Sequence, residues 1–213
     1  MKKIRVGIEL NHVMRNVNKQ AAKFYAEAFD QSIDLDELDY KDNILQDVCK
    51  FDSTDERYSF FYEDYTYEIF GCAPSVVKNG PAKINTWLYQ LTNQEEYDVE
   101  VFYYSLGEQN ISIQSTLFFL SKIGTRARKV LFPKDIKELN TEADVLITAN
   151  DLVVNEYAGK KKIIVINNNY NKDLNEKADQ HYDSIEEFVS DTNNLYKLFK
   201  NNEETAEQSD SNS

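Results

Sequence analysis

Four apolar runs in this 213-residue chain each give way to a residue type that handles charge or phosphate. "VGIELN" ends in a carboxylate and an amide two positions apart, Glu9 and Asn11, and "VEVFYYS" ends in the hydroxyl of Ser105. "ARKVLFPK" leads to Lys134, with Lys129 and Lys137 nearby. "ADVLITAND" leads to Thr148 and Ala149, with Asp151 a little further on. A carboxylate can serve as nucleophile or cation ligand, whereas an amide exchanges no proton at neutral pH. Lys134 could hold a phosphate oxygen, and three solvated loop lysines is an equal reading of the same residues.

These groups meet only if the runs are neighbouring strands. Val6, Ile8 and Leu10 make the first run a β-rich stretch, and "NKQAAKFYAEAF" then repeats Ala21, Phe24, Tyr25 and Ala28 at helical spacing. The pattern turns regular again at "AKINTWLYQLTN", a helix with Ile84, Trp87, Leu88 and Leu91 on one face. A strand "YDVEVFYYS" and a helix "SIQSTLFFLSKIG" ended by Gly124 follow. Next come a strand "ARKVLF", a short helix "KDIKELN" and two strands, "ADVLITA" and "KKKIIVINN". A helix over 184–199 closes the fold, with Ile185, Phe188, Val189, Leu195 and Leu198 available for burial. Strands alternating with helices predict an α/β fold with a mostly parallel sheet. Ligands in such sheets bind beyond the carboxyl ends of the strands, where the four groups lie.

Between the first helix and this regular part, residues 30–92 read as an insertion. It contains an acidic stretch with helical spacing at Leu38, Ile44, Leu45 and Val48, then the aromatic run "YSFFYEDYTYEIF" and the breakers "APSVVKNGP". The expected organisation is an α/β core over 1–29 and 93–199, a helical cap over 30–92, and a disordered acidic tail over 200–213. The run supplies Tyr58, Phe60, Phe61, Tyr62, Tyr65 and Tyr67. They read either as packing within the cap or as anchors for a protein partner.

The order of these stretches resembles the haloacid dehalogenase-like phosphohydrolase superfamily, particularly its 5′-nucleotidase-like members. The likeness covers about residues 3–198, with "IIVINNNYN" echoing a later family turn. It implies a three-layer sandwich with a cap. It also implies an Asp-x-Asp motif at Glu9 and Asn11, a second motif at Ser105, a third at Lys134 and an acidic magnesium-holding pair at Thr148 and Ala149. This chain departs from that pattern at three places. Glu9 carries one methylene more than the family's attacking Asp, a displacement on the order of 1 Å that costs about 100-fold. Asn11 cannot shuttle a proton, and Thr148 and Ala149 bring no charge to a cation that wants hard oxygen ligands. Phosphoryl transfer depends on those carboxylates and that metal. The expectation is therefore a pseudoenzyme with no catalytic residue, metal or cofactor. It would serve as a structural or interaction component of an assembly, a bacteriophage virion being the version the resemblance implies. The alternative is a Mg²⁺-dependent phosphohydrolase or nucleotide-binding protein with Glu9 in an atypical role.

Other chemistry has less behind it. His12 and His181 belong to no zinc-ligand pattern. Ser105, His12 and Asp144 form a triad on paper only, without a nucleophile elbow. Gly107 is a lone turn glycine, with neither a P-loop nor a Gly-x-Gly-x-x-Gly run in the chain. Cys49 and Cys72 have no metal spacing. A formal charge of -13 argues against a nucleic-acid surface and favours basic protein partners. "GKKKIIVI" reads as a solvated basic turn before a buried strand, or as a contact for acidic chains. No signal peptide or membrane span is expected, and the setting expected is the cytoplasm or a particle assembled there.

Overall fold

The computed structural model describes residues 2–36, 48–77, 81–92, 97–108, 110–126, 128–190 and 199. Six strands form one sheet, every neighbouring pair parallel. They are β1 (Lys2–Glu9), β2 (Tyr97–Tyr104), β3 (Val130–Leu131), β4 (Val145–Thr148), β5 (Lys162–Ile166) and β6 (Gln180–Tyr182), in the order β3-β2-β1-β4-β5-β6. The chain runs outward from β1 to β3, then returns to the other side of β1 and runs outward again. β1 and β4 are neighbours whose following loops leave in opposite directions, which opens a crevice at their carboxyl ends.

Side-chain alternation assigns the layers. Ile4, Val6 and Ile8 of β1, Val99, Val101 and Tyr103 of β2, and Val145 and Ile147 of β4 line one face. Helices α3 (Pro81–Thr92), α4 (Asn110–Lys122) and α7 (Ile185–Ser190) cover it through Ile84, Trp87, Phe119, Leu120 and Phe188. Phe102, Tyr104, Leu146, Ile163 and Val165 line the other face. There a 3₁₀ turn (Ile136–Glu138), α5 (Leu139–Glu142) and α6 (Asp151–Tyr157) supply Leu139, Val153, Val154 and Tyr157. Position 7 of β1 faces the same layer and is a glycine, since a Cβ there would come within 2.8 Å of the Phe102 ring. The fold is thus an α/β three-layer sandwich, as the alternation of runs predicts.

A second, aromatic core lies apart from the sheet. Helix α1 (Val17–Ala28) buries Val17, Ala21, Ala22 and Tyr25 against Phe60, Phe61, Ile69 and Phe70. Helix α2 (Thr54–Ser59) leads into two π-helical turns, Phe60–Asp64 and Tyr67–Gly71. Helix α1 thus packs with the aromatic segment, and α3 packs into the sheet's core. Phe60 and Phe61 are interior residues of this core, so neither offers a ring to a partner. Tyr58 and Tyr67 are exposed, and Tyr62 and Tyr65 are partly covered.

Some elements differ from expectation. The "ARKVLF" strand shrinks to two residues, while α6 and β6 form where the sequence pattern marks no element. Leu38, Ile44 and Leu45 of the expected acidic helix, the positions Leu195 and Leu198, and the tail over 200–213 lie outside the described residues, while Val48 falls in a turn. No helix among the described residues is long and apolar enough to cross a membrane.

Candidate functional site

The crevice between β1 and β4 is spanned by a side chain. β1 and β4 pair through Ile8 and Ile147, so Glu9 and Thr148 fall next to each other on the Phe102 face. Tyr104, opposite Glu9 in β2, joins them. Glu9 is 2% exposed. Its Oε2 accepts from the Thr148 hydroxyl at 2.5 Å and the Ala149 N–H at 3.1 Å, and its Oε1 accepts from the Asn150 side-chain amide at 3.3 Å. Asn150 also caps α6 by accepting from the Leu152 N–H. Burial raises the Glu9 carboxyl to about 7, against the opposing pull of these hydrogen bonds. Glu9 thereby ties the end of β1 to the β4–α6 turn.

Asn11 is committed as well. Its side-chain oxygen accepts from Arg15 Nε at 3.0 Å. Arg15 is fully buried and pairs with Glu108 at 2.6 Å, both side chains hidden from solvent. It donates further to the Phe70 carbonyl and the Thr116 hydroxyl, and its guanidinium lies over the rings of Phe70 and Phe119. One cation thus joins the β1 loop, the second π turn, α4 and the loop after β2. Desolvation of that cation lowers its pKa, and Glu108 opposes the fall.

The remaining motif positions scatter. Ser105 lies directly after β2 and is buried, and its hydroxyl meets no partner among the described residues. Lys134 is exposed beyond β3, two strands from β1, where its backbone N–H donates to Glu138. Lys129 sits at the amino end of β3, pairs with Glu142 and covers the Phe102 ring. Lys137 is exposed in the 3₁₀ turn. Ala149 packs into the Ile8 face, and Asp151 opens α6 as an exposed side chain. Asp144 binds Arg5 at the amino end of β4, which removes it from any triad with Ser105.

Asn171, Tyr170 and Tyr104 escape sequence reasoning, and His12, considered there only for zinc or a triad, lies among them. Asn171 donates to the carbonyls of Ala149 and Ile166 and accepts from the Asn168 N–H, closing the ends of β4 and β5. His12 adopts φ 65°, and its Nδ1 is buried without a partner among the described residues. Burial and the nearby Arg15 charge lower its pKa to about 4. Tyr170 meets the His12 ring edge-on and feels the charges of Glu9 and Asp151. The Tyr104 hydroxyl lies beside Thr148 without a well-formed hydrogen bond, and burial raises its pKa.

This donor set does not fit a magnesium ion. Mg²⁺ wants several hard oxygen acceptors in octahedral array. The Glu9 carboxylate faces a hydroxyl, a backbone N–H and an amide NH₂ instead, all donating to it. Among the described residues no group of three or more His, Cys, Asp or Glu side chains is placed to hold a metal. The arrangement is chemically a buried clamp on a carboxyl group. No family model matches the chain, and no curated protein matches it significantly.

Proposed function

We propose that this chain is a haloacid dehalogenase-like scaffold that does not turn over phosphate esters and serves as a structural or protein-interaction component of a larger assembly. The observation that carries this reading is the engagement of Glu9. A nucleophile must reach a phosphorus atom in line, within about 3–3.5 Å. Glu9 is buried and spends its oxygens on Thr148, Ala149 and Asn150. Asn11, in the place of a proton shuttle, is fastened to Arg15. The setting that goes with this reading is the cytoplasm or a particle assembled there, such as a bacteriophage virion.

A second reading is a phosphohydrolase or nucleotide-binding protein of 5′-nucleotidase type. It is favoured by buried polar atoms of His12, Tyr104, Ser105 and Asn168, at or just beyond the strand ends, that find no partner among the described residues. One assay separates the two. The purified chain is incubated with Mg²⁺ and a generic phosphomonoester beside its Glu9→Gln variant. The first reading expects equal, background release of phosphate from both. Turnover by the wild type that disappears in Glu9→Gln refutes it.

A further inference from the structure

Helix α4 carries apolar residues on nearly every side. Phe119, Leu120 and Ile123 are buried in the sheet's core, yet Ile111 is 59% and Phe118 43% exposed, and Leu117 is exposed beside them. A helix normally turns its large apolar residues toward the core, so these three leave an exposed apolar patch on its outer side. Ile111, Gln114, Ser115 and Phe118 follow one another at i, i+3, i+4 and i+7, so they share a face. That face forms one wall of a groove of about 470 Å³. The opposite wall is the segment joining the two π turns, from Glu63 to Glu68. Gly71 lets the second turn approach α4 closely, since a Cβ there would meet the Ser115 carbonyl at 3.2 Å.

The groove has an apolar floor and an acidic rim. Tyr67, 48% exposed, packs its ring against Phe118 with centroids 5.2 Å apart. Glu63, Asp64 and Glu68 stand around them, and none of the three has a basic partner among the described residues. Among the described residues no Lys or Arg lines the groove. π turns displace backbone from α-helical register and recur at functional sites. Here two of them aim Tyr67 and three carboxylates at the same exposed helix face.

We propose that this groove is the docking site for a cationic amphipathic segment of a partner protein. An apolar side chain of the partner seats between Tyr67, Ile111 and Phe118, and its Lys or Arg residues meet Glu63, Asp64 and Glu68. The rim charge selects the sign of the partner, and the chain's net charge of -13 steers such a segment toward it. The proposal rests on the interaction reading above and names the surface and the partner chemistry.

The test uses the full chain and three fluorescent 18-residue peptides: Lys and Leu at helical spacing, the same with Glu for Lys, and the same with Ser for Leu. The expected result is saturable binding of the Lys/Leu peptide alone. It weakens about tenfold in Glu63→Lys/Glu68→Lys, through lost and reversed rim charge, and about tenfold in Phe118→Ala, through the lost anchor. Circular dichroism establishes that both variants are folded, and Tyr67→Ala replaces Phe118→Ala if that variant is not. Binding of the Lys/Leu peptide that both sets of variants leave unchanged would overturn the proposal, because general attraction to an acidic protein then explains it. Failure of that peptide to bind would overturn it equally. Neither result bears on Glu9-dependent phosphate release, so the docking site and the non-catalytic reading fail separately.

Discussion

Replacing Glu9 by Gln should make the protein's stability less dependent on pH, with a sign that follows from burial. The Glu9 carboxyl titrates at about 7 in the folded chain, against 4.5 for an unperturbed Glu. Between those values the folded state keeps a proton that the unfolded state has released. Stability attributable to Glu9 is therefore intact below about pH 4.5, falls as pH rises, and reaches its full loss above 7. At about 1.4 kcal/mol per pH unit, that loss is about 3 kcal/mol. Gln keeps the shape and can accept the same bonds from Thr148 and Ala149 but cannot ionise. Its NH₂ would face the Asn150 amide, which now donates to Glu9 Oε1, and that conflict adds a cost independent of pH. The informative quantity is thus the change with pH in the stability difference between variant and wild type. Urea unfolding at pH 5, 6, 7 and 8.5 measures it. The difference should move by about 3 kcal/mol in favour of Gln between the ends of that range. A difference constant to within about 0.5 kcal/mol would refute the claim that Glu9 is a clamped carboxyl costly to ionise.

Four further outcomes follow from the same structure. His12 titrates at about 4 when folded, against 6.5, so its contribution is complete above pH 6.5 and is lost as pH falls; His12→Asn, whose side chain tolerates φ 65°, should gain on the wild type by about 3 kcal/mol between pH 7 and 4 in urea unfolding. Arg15→Met leaves Glu108 buried without its cation and should cost about 3–5 kcal/mol by urea unfolding, with Arg15→Met/Glu108→Leu recovering part of it. A single-variant loss under about 1 kcal/mol would contradict that account. Gly7→Ala should cost about 1–3 kcal/mol because the new methyl meets the Phe102 ring, and Gly7→Ala/Phe102→Leu should restore most of it in thermal melts. In native-state hydrogen exchange, the amides of Met14, Arg15 and Asn16, bonded to Leu10, Leu10 and Pro74, should be protected like those of β1; exchange within minutes would show the loop opening freely.

The sheet was largely legible because its strands alternate or run apolar. Val6 and Ile8 face one layer, and "VLIT" and "KIIVI" are buried almost throughout. β6 was not legible: "QHY" is a short, half-exposed edge strand with no apolar alternation. α6 was missed for its length of seven residues, although Asn150 and Asp151 form an N-terminal signal ahead of it. In "YSFFYEDYTYEIF" rings occur too densely for any period to show, and π turns, bonded i to i+5, depart from the 3.6-residue period. The direction in which α1 packs was equally hidden, because an amphipathic pattern marks a buried face without naming what covers it. At the site, the sequence exposes the replaced residue types but not their use. Glu9 reads there as a displaced nucleophile, and only the fold brings Thr148 and Asn150 to it from about 140 positions away. Arg15 belongs to no motif, and its place beside Val13 and Met14 in "HVMRN" is the one sign in the sequence of its buried pair.

Glu9 and Arg15 together fasten the loop after β1 at both of its ends. In a parallel sheet of this topology, that loop borders the crevice where a substrate would enter. A working site keeps hydrogen-bonding capacity open there and lets a loop or cap move over it. Here the loop begins at a carboxyl group tied to the β4–α6 turn. It ends at a guanidinium tied to Glu108, Thr116 and the Phe70 carbonyl. Moving the loop would separate a buried ion pair from its solvent-free surroundings, a cost of several kcal/mol. The same Arg15 fixes the second π turn to α4, and so holds Tyr67 against Phe118 across the exposed groove. The polar groups at the strand ends therefore tie the aromatic segment to the sandwich, and a surface ordered beforehand in this way loses little freedom of its own when a partner docks on it.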